Sequence, residues 1–163
     1  DPEVPLTLAR LTDFLRNPAR NFLRNRLLVR LAWFGCPTVC AINGHAFGGG
    51  ALIASVCDFR TMRADRGFFC FPEVDIKLPF TPVMTDCVGN LPNEAARRRM
   101  ALTGQRVGGS DMLALGLVEA VCPADELAAA SLALAAQLAQ KHRPTYTAIK
   151  RSLLALRWQK WLA

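Results

Sequence analysis

Residues Ala41 to Gly50, AINGHAFGGG, join a short apolar run to three consecutive glycines. A helix-like stretch, Ala51 to Cys57 (ALIASVC), follows directly, and Phe71 to Ile76 (FPEVDI) comes about twenty positions later. Glycine has no Cβ, so a triple-glycine turn lets a ligand approach main-chain N–H groups that a side chain would shield. The first N–H groups of the helix that follows have no internal acceptors, and the helix dipole places a partial positive charge there. This stretch therefore offers a backbone site for a developing oxyanion at Gly48 to Gly50, with Glu73 as a candidate proton carrier. Taken alone, three glycines also suit a tight turn or close helix packing.

Working outward, Pro37 to Ile42 reads as a β-branched strand and Asn43-Gly44 as a turn. Gly50 to Cys57 reads as a short buried helix, Asp58 to Ala64 and Gly67 to Phe71 as strands, and Asp65-Arg66-Gly67 as the turn between them. Thr81 to Val88 and Asn93 to Leu102 read as helices, the second with Asn93 as N-cap after Pro92. Ser110 to Leu115 is a helix stopped by Gly116, and Leu117 to Val121 a last strand. Two further helices are expected from Asp125 to Lys141 and from Pro144 to Leu162, the first carrying the alanine-rich ASLALAAQLAQ. Alternating strands and helices indicate an α/β layered fold. We divide the chain into an α/β core over 1–122 and a helical region over 123–163.

Upstream, residues 6 to 34 are rich in Leu and Arg. Arg16, Arg20 and Arg24 recur at helical spacing, and Leu23, Leu27, Leu28 and Leu31 form an apolar stripe. Pro18 starts or kinks a helix there. No acidic residue occurs between Asp13 and Asp58, a pattern shared with mitochondrial transit peptides. A helix over 19 to 34 that leads into the first strand accounts for the same residues.

The 163 residues fit one domain, and 52% apolar content suffices for a core. No run approaches eighteen uninterrupted apolar residues, so no membrane span is expected. The six cysteines, at 36, 40, 57, 70, 87 and 122, show no CxxC pair and no histidines at metal-ligand spacing, so we read them as reduced core residues and expect no metal site. The net charge of +7, from twenty basic and thirteen acidic side chains, favours an anionic partner. No DNA- or RNA-binding motif is present, so nucleic acid is not expected.

Pro37-Thr38-Val39-Cys40-Ala41-Ile42-Asn43-Gly44, Ala46-Phe47-Gly48-Gly49-Gly50, Cys57-Asp58-Phe59-Arg60 and Phe71-Pro72-Glu73 together resemble the enoyl-CoA hydratase/isomerase (crotonase) superfamily. Ala95-Ala96-Arg97, Leu102-Thr103-Gly104 and Ala114-Leu115-Gly116-Leu117-Val118 follow in that family's order. Met62-Arg63-Ala64-Asp65-Arg66-Gly67 followed by Pro72-Glu73-Val74-Asp75-Ile76 is most similar to its 3,2-enoyl-CoA isomerase branch. The resemblance implies a crotonase-like fold of repeated β-β-α units with a C-terminal helical region. It also implies a thioester oxyanion held by the Gly49 N–H and a second amide, and a catalytic carboxylate at Glu73. His45, Ala46, Phe47, Gly48, Gly50, Leu52 and Pro72 are the expected substrate-contacting residues. Family hydratases carry a second glutamate where this chain has Leu52, which can neither hold a water nor move a proton. Isomerisation by one carboxylate is therefore expected.

Glu73 lies in an apolar stretch with Phe68, Phe69, Phe71, Pro72, Val74, Ile76 and Leu78, and its pKa is expected to rise if these pack around it. Asp75 is the alternative base, since it shares a face with Glu73 if the segment is extended. Lys150, Arg151, Arg157 and Lys160 are candidates for the CoA phosphates, Lys150 and Arg151 foremost, and Trp158 and Trp161 for core or interface anchors. No cofactor beyond the substrate's own CoA is expected. By resemblance the partners are acyl-CoA and further copies of the chain in a trimer or hexamer. The compartment is a peroxisome or mitochondrion in a eukaryote, the cytoplasm in a bacterium. The family's first oxyanion donor precedes anything matched here. The sequence thus reads as a fragment of a longer protein, or as a shortened relative that binds acyl-CoA without catalysis. Hydration or another crotonase activity is the remaining alternative.

Overall fold

The β-branched run ahead of Asn43 becomes a strand because its small and branched side chains fit between a sheet neighbour and a covering helix. The computed structural model describes residues 26–162. In it, helix α1 covers residues 26–32, and β1 (Val39–Ile42) follows. Then come β2 (Ala46–Phe47) and α2 (Gly49–Val56), β3 (Phe59–Arg63) and β4 (Phe69–Cys70), a single 3₁₀ turn over Pro72–Val74, and α3 (Pro82–Gly89). Next are α4 (Glu94–Thr103), α5 (Gly109–Ala114) and β5 (Ala120–Cys122). The chain closes with α6 (Leu127–Ala139), α7 (Arg143–Trp158) and a 3₁₀ turn over Gln159–Trp161. The readings made for residues 6–24, including the possible leader and Pro18, lie outside the described residues.

The order shows a repeated β-β-α unit. In each repeat the first strand joins one sheet and the second strand joins another. β1 and β3 pair in parallel, with Cys40 opposite Arg60, and β5 extends the sheet on the far side of β3, with Val121 opposite Met62. β2 and β4 form a separate parallel pair, with Ala46 opposite Phe69 and Phe47 opposite Cys70. Parallel neighbours require a crossover, and β2 with α2 supplies it between β1 and β3. Ile42, Ala51, Leu52, Val56, Met62, Phe69 and Phe71 are buried in one core with Leu28 and Ala32 of α1. α6 packs on β1, β3 and β5, and Trp158 near the end of α7 is wholly buried in that core. Trp161 is half-buried, its indole N–H donating to Asp86 Oδ2 at 2.7 Å.

Most elements match their expected spans within two residues, and the differences have local causes. The strand expected over Gly67 to Phe71 retains two paired residues, because Pro72 lacks an N–H and starts the 3₁₀ turn. β5 begins at Ala120 instead of Leu117 because Leu117 closes α5. Gly116 adopts φ +67°, the Gly116 N–H bonds Leu113 O at 2.9 Å, and the Leu117 N–H bonds Met112 O at 2.8 Å. That is a Schellman closure, and it consumes the residues that would have started the strand. The Asn93 cap is present, with its Oδ1 accepting from the Ala96 N–H at 3.0 Å.

A half-buried carboxylate ties α7 to the sheet. Asp58 Oδ2 accepts from Lys150 Nζ at 2.8 Å, Tyr146 Oη at 3.0 Å, the Thr38 N–H at 2.9 Å and Thr38 Oγ1 at 3.1 Å. Burial pushes the Tyr146 phenol well above its usual pKa, and the neighbouring Asp58 charge and hydrogen bond push it the same way. A raised folded pKa means that this contribution to stability is complete below about pH 10, the unfolded value, and is lost as pH rises beyond it. Tyr146→Phe is therefore expected to flatten the loss of stability between pH 9.5 and 11.5 (on the order of the unfolded tyrosine pKa) in denaturant titrations. An unchanged slope would remove the phenol from this role.

Candidate functional site

The glycine turn is held open by its own sheet. The Gly48 N–H donates to Cys70 O at 3.1 Å, which fixes the turn against β4, and Gly48 caps α2 at φ 49°, ψ −112°, a region where a Cβ is unfavourable. The first helical bond runs from the Leu52 N–H to Gly48 O at 2.9 Å. Helix geometry therefore leaves the amides of Gly49, Gly50 and Ala51 without intrahelical acceptors. Gly49 and Gly50 are exposed, and a methyl group built on either meets no atom within 4 Å.

Glu73 comes to this turn from the other repeat. Pro72 opens the 3₁₀ turn, and the Ile76 N–H to Pro72 O (3.1 Å) and Leu78 N–H to Glu73 O (2.9 Å) bonds close the backbone around Glu73. Its side chain points inward and is only 4% exposed. A methyl group built on Gly48 would lie 3.5 Å from Glu73 Oε1, so carboxylate and glycine turn are immediate neighbours. Glu73 also lines a cleft of about 380 Å³ whose other walls are Val74, Lys77, Leu78, Pro79, Phe80, Ala101 and Leu102. The arrangement unites a buried carboxylate, the amino end of a helix and an apolar cavity. In chemical terms it can accept an apolar chain, hold a negative oxygen against main-chain donors and exchange a proton nearby.

The remaining candidates divide. Ala46 is buried, Pro72 and Gly48 are half-buried, and all three adjoin Glu73 or the turn in sequence. Leu52, expected to touch substrate, is completely buried one turn into α2. Its consequence is negative: no carboxylate stands there. His45 and Phe47, expected to contact substrate, flank the buried Ala46, His45 exposed and Phe47 half-buried, and neither lines the cleft beside Glu73. Their rings meet at 4.9 Å, His45 lies 5.8 Å from Phe68, and the Arg106 guanidinium is 5.4 Å above Phe47. Asp75 does not share Glu73's face, because the segment is a 3₁₀ turn and not extended. Its carboxyl sits where a side chain on Gly104 would collide with it.

The phosphate candidates also change. Lys150 is 6% exposed and paired with Asp58, so its ammonium is committed within the fold. Lys160 is paired with Asp86 at 2.9 Å. Arg151 is exposed, its guanidinium 5.8 Å from the Trp33 ring, and remains a candidate. Sequence reasoning missed Lys77, Pro79, Phe80, Ala101 and Leu102 as wall residues. They reach the cleft from α4 and from the turn after Glu73, and no local pattern in one sequence announces that meeting.

A model for the family described as Enoyl-CoA hydratase/isomerase matches residues 19–157. The chain is 34% identical over 122 residues to Enoyl-CoA delta isomerase 2, peroxisomal, of Arabidopsis thaliana, covering 72% of this chain and 51% of that protein. It is equally similar to Enoyl-CoA delta isomerase 3 of the same plant, and 31% identical over 123 residues to the mitochondrial enoyl-CoA hydratase of Pongo abelii, covering 73% of this chain and 41% of that one. The chain thus spans about half the length of the curated relatives it matches. Among solved structures, a probable enoyl-CoA hydratase of Mycobacterium tuberculosis superposes with a TM-score of 0.81 at 22% identity, over 94% of this chain and 66% of that one. A hydratase/isomerase family protein of Pseudomonas syringae gives 0.78 at 22% identity, over 83% and 59%. At such identities the likeness speaks for the fold alone, which is the crotonase-like layered fold.

Proposed function

This chain belongs to the enoyl-CoA hydratase/isomerase family, and from that premise we propose that it moves the double bond of a 3-enoyl-CoA to the 2-trans position with Glu73 as sole proton shuttle. The observation that carries this reading is the 4%-exposed Glu73 carboxylate beside the Gly48 turn, opening on an apolar cleft. The thioester carbonyl oxygen sits at the Gly49 amide, where the positive end of α2 favours the charge that develops on it. Glu73 takes a proton from C2, the electron pair delocalises toward the thioester oxygen, and the bond shifts from C3–C4 to C2–C3. The same carboxyl then returns the proton to C4. No net redox change occurs and no cofactor takes part.

The plant relatives named as delta isomerases support this reading, and the relative named as a hydratase supports the second one. Two features favour isomerisation: Leu52 stands at the position where family hydratases carry a second glutamate, and one base suffices for a 1,3 proton transfer. The peroxisomal label on two of the relatives favours that compartment. An apolar ridge on α7, with Ile149, Leu153 and Leu156 56%, 79% and 101% exposed, supports assembly with further copies. Assays on 3-hexenoyl-CoA and on crotonyl-CoA test the proposal directly. Conjugation of the first without hydration of the second is expected. Comparable hydration would favour the hydratase reading, and thioester binding without either reaction a non-catalytic role.

A further inference from the structure

One residue of the cleft is out of place both chemically and conformationally. Six of its eight lining residues are apolar, and the seventh is the buried Glu73. The eighth is Lys77, exposed, and the only cation lining the cleft among the described residues. Its backbone lies at φ 57°, the left-handed region that side-chain-bearing residues adopt against a steric penalty and that glycine adopts freely. Among the described residues Lys77 forms no ion pair. The turn that holds it is the one that holds Glu73. The Leu78 N–H to Glu73 O and Lys77 N–H to Val74 O bonds, at 2.9 and 3.4 Å, set both side chains on one short loop. A strained residue persists where its surroundings or its use retain it, and such residues cluster at ligand clamps.

The chemistry of a fitting ligand follows from those walls. An apolar middle suits methylene carbons. A plain acyl chain offers the ammonium no partner beyond water, whereas a carboxylate on the chain gains a charge-assisted bond from it beside the carboxylate of Glu73. We propose that Lys77 recognises a carboxylate at the far end of the acyl chain, so that the chain prefers ω-carboxyacyl thioesters over plain fatty acyl thioesters. This rests on the acyl-thioester reading of the site. It adds what that reading leaves open, namely the chemical character of the acyl end.

CoA itself carries phosphates, and Lys77 could serve those instead, so the test must separate two anions. Calorimetric titration of the full chain with adipoyl-CoA, hexanoyl-CoA and free CoA does this, because only the first carries the extra carboxylate. Wild type is expected to bind adipoyl-CoA about tenfold more tightly than hexanoyl-CoA at low salt, a preference that fades as salt screens the exposed ammonium. Lys77→Met and Lys77→Gly should each bring that ratio close to one. The glycine variant guards against misfolding, since glycine fits φ 57° without strain. Equal affinity for the two thioesters in wild type overturns the proposal. So does an equal weakening of all three ligands in the variants, which would assign Lys77 to the CoA phosphates. Failure of any thioester to bind would instead remove the acyl-thioester reading, and this inference with it.

Discussion

Glu73→Gln is expected to lower kcat for conversion of 3-hexenoyl-CoA by about 10²–10⁴-fold, the usual contribution of a placed general base, and to leave KM within a few-fold. Glutamine keeps the shape of the side chain and can still hydrogen-bond, but it cannot accept and return a proton. The carboxylate reacts only as the proton moves, so its loss should appear in kcat and kcat/KM together. The two-sided environment makes the position sensitive. On one side lies the Gly48 turn, 3.5 Å from Oε1 to a methyl group built there, and on the other the apolar cleft. A merely structural role for Glu73 predicts a different pattern, lower melting temperature with turnover per folded molecule intact. Steady-state kinetics alongside thermal melts distinguish the two, and undiminished kcat in a folded variant would end the proton-shuttle reading.

The largest effect on stability is expected at Asp58. Asp58→Ala removes the acceptor for Lys150 Nζ, Tyr146 Oη, the Thr38 N–H and Thr38 Oγ1 at once. Lys150, at 6% side-chain exposure, is then left with a single 3.4 Å contact to Cys36 O. Removing one partner of a buried pair costs about 3–5 kcal/mol, because the remaining charge has lost both water and counter-ion. For a domain of this size that corresponds to a fall in Tm on the order of 10 °C. Lys150→Met should cost less, since Asp58 keeps the donors from Thr38 and Tyr146. Chemical denaturation of the two variants side by side checks this order. Equal losses, or losses under about 1 kcal/mol as for a surface pair, would show that the node is solvated and not a tie.

Much of the architecture was legible because its signals are local. Asn43-Gly44, the triple glycine, Pro72, the Asn93 cap and the Gly116 stop each carry a steric or hydrogen-bonding instruction that survives folding. The pairing of Glu73 with the glycine turn was legible too, though only through the resemblance, since twenty-five positions separate Gly48 from Glu73 and no periodicity joins them. What stayed hidden was long-range or orientational. Lys150 looked like one more basic residue on a helix until α7 docked it against Asp58, ninety-two positions away. His45 and Phe47 looked like pocket residues because they border the glycines, yet strand alternation turns them from Ala46 toward Phe68 and Arg106. Asp75, the alternative base, does not share a face with Glu73 for a similar reason: a one-turn 3₁₀ segment replaced the extended stretch on which that face depended. Lys77 was passed over because its significance lies in a backbone angle, which no residue name records.

Arg60, at the second position of β3, is 4% exposed and donates to Ala54 O at 3.1 Å, Cys57 O at 2.7 Å and Leu117 O at 2.8 Å. Two of those carbonyls belong to the closing end of α2, the helix whose opening end adjoins Glu73. A permanent cation thus sits at the negative pole of an eight-residue rod roughly 12 Å long. It offsets the charge that would otherwise subtract from the field at the opposite pole. The interior of the protein thereby biases the potential at the glycine turn from the far end of the helix, and holds the rod's tilt at the same time.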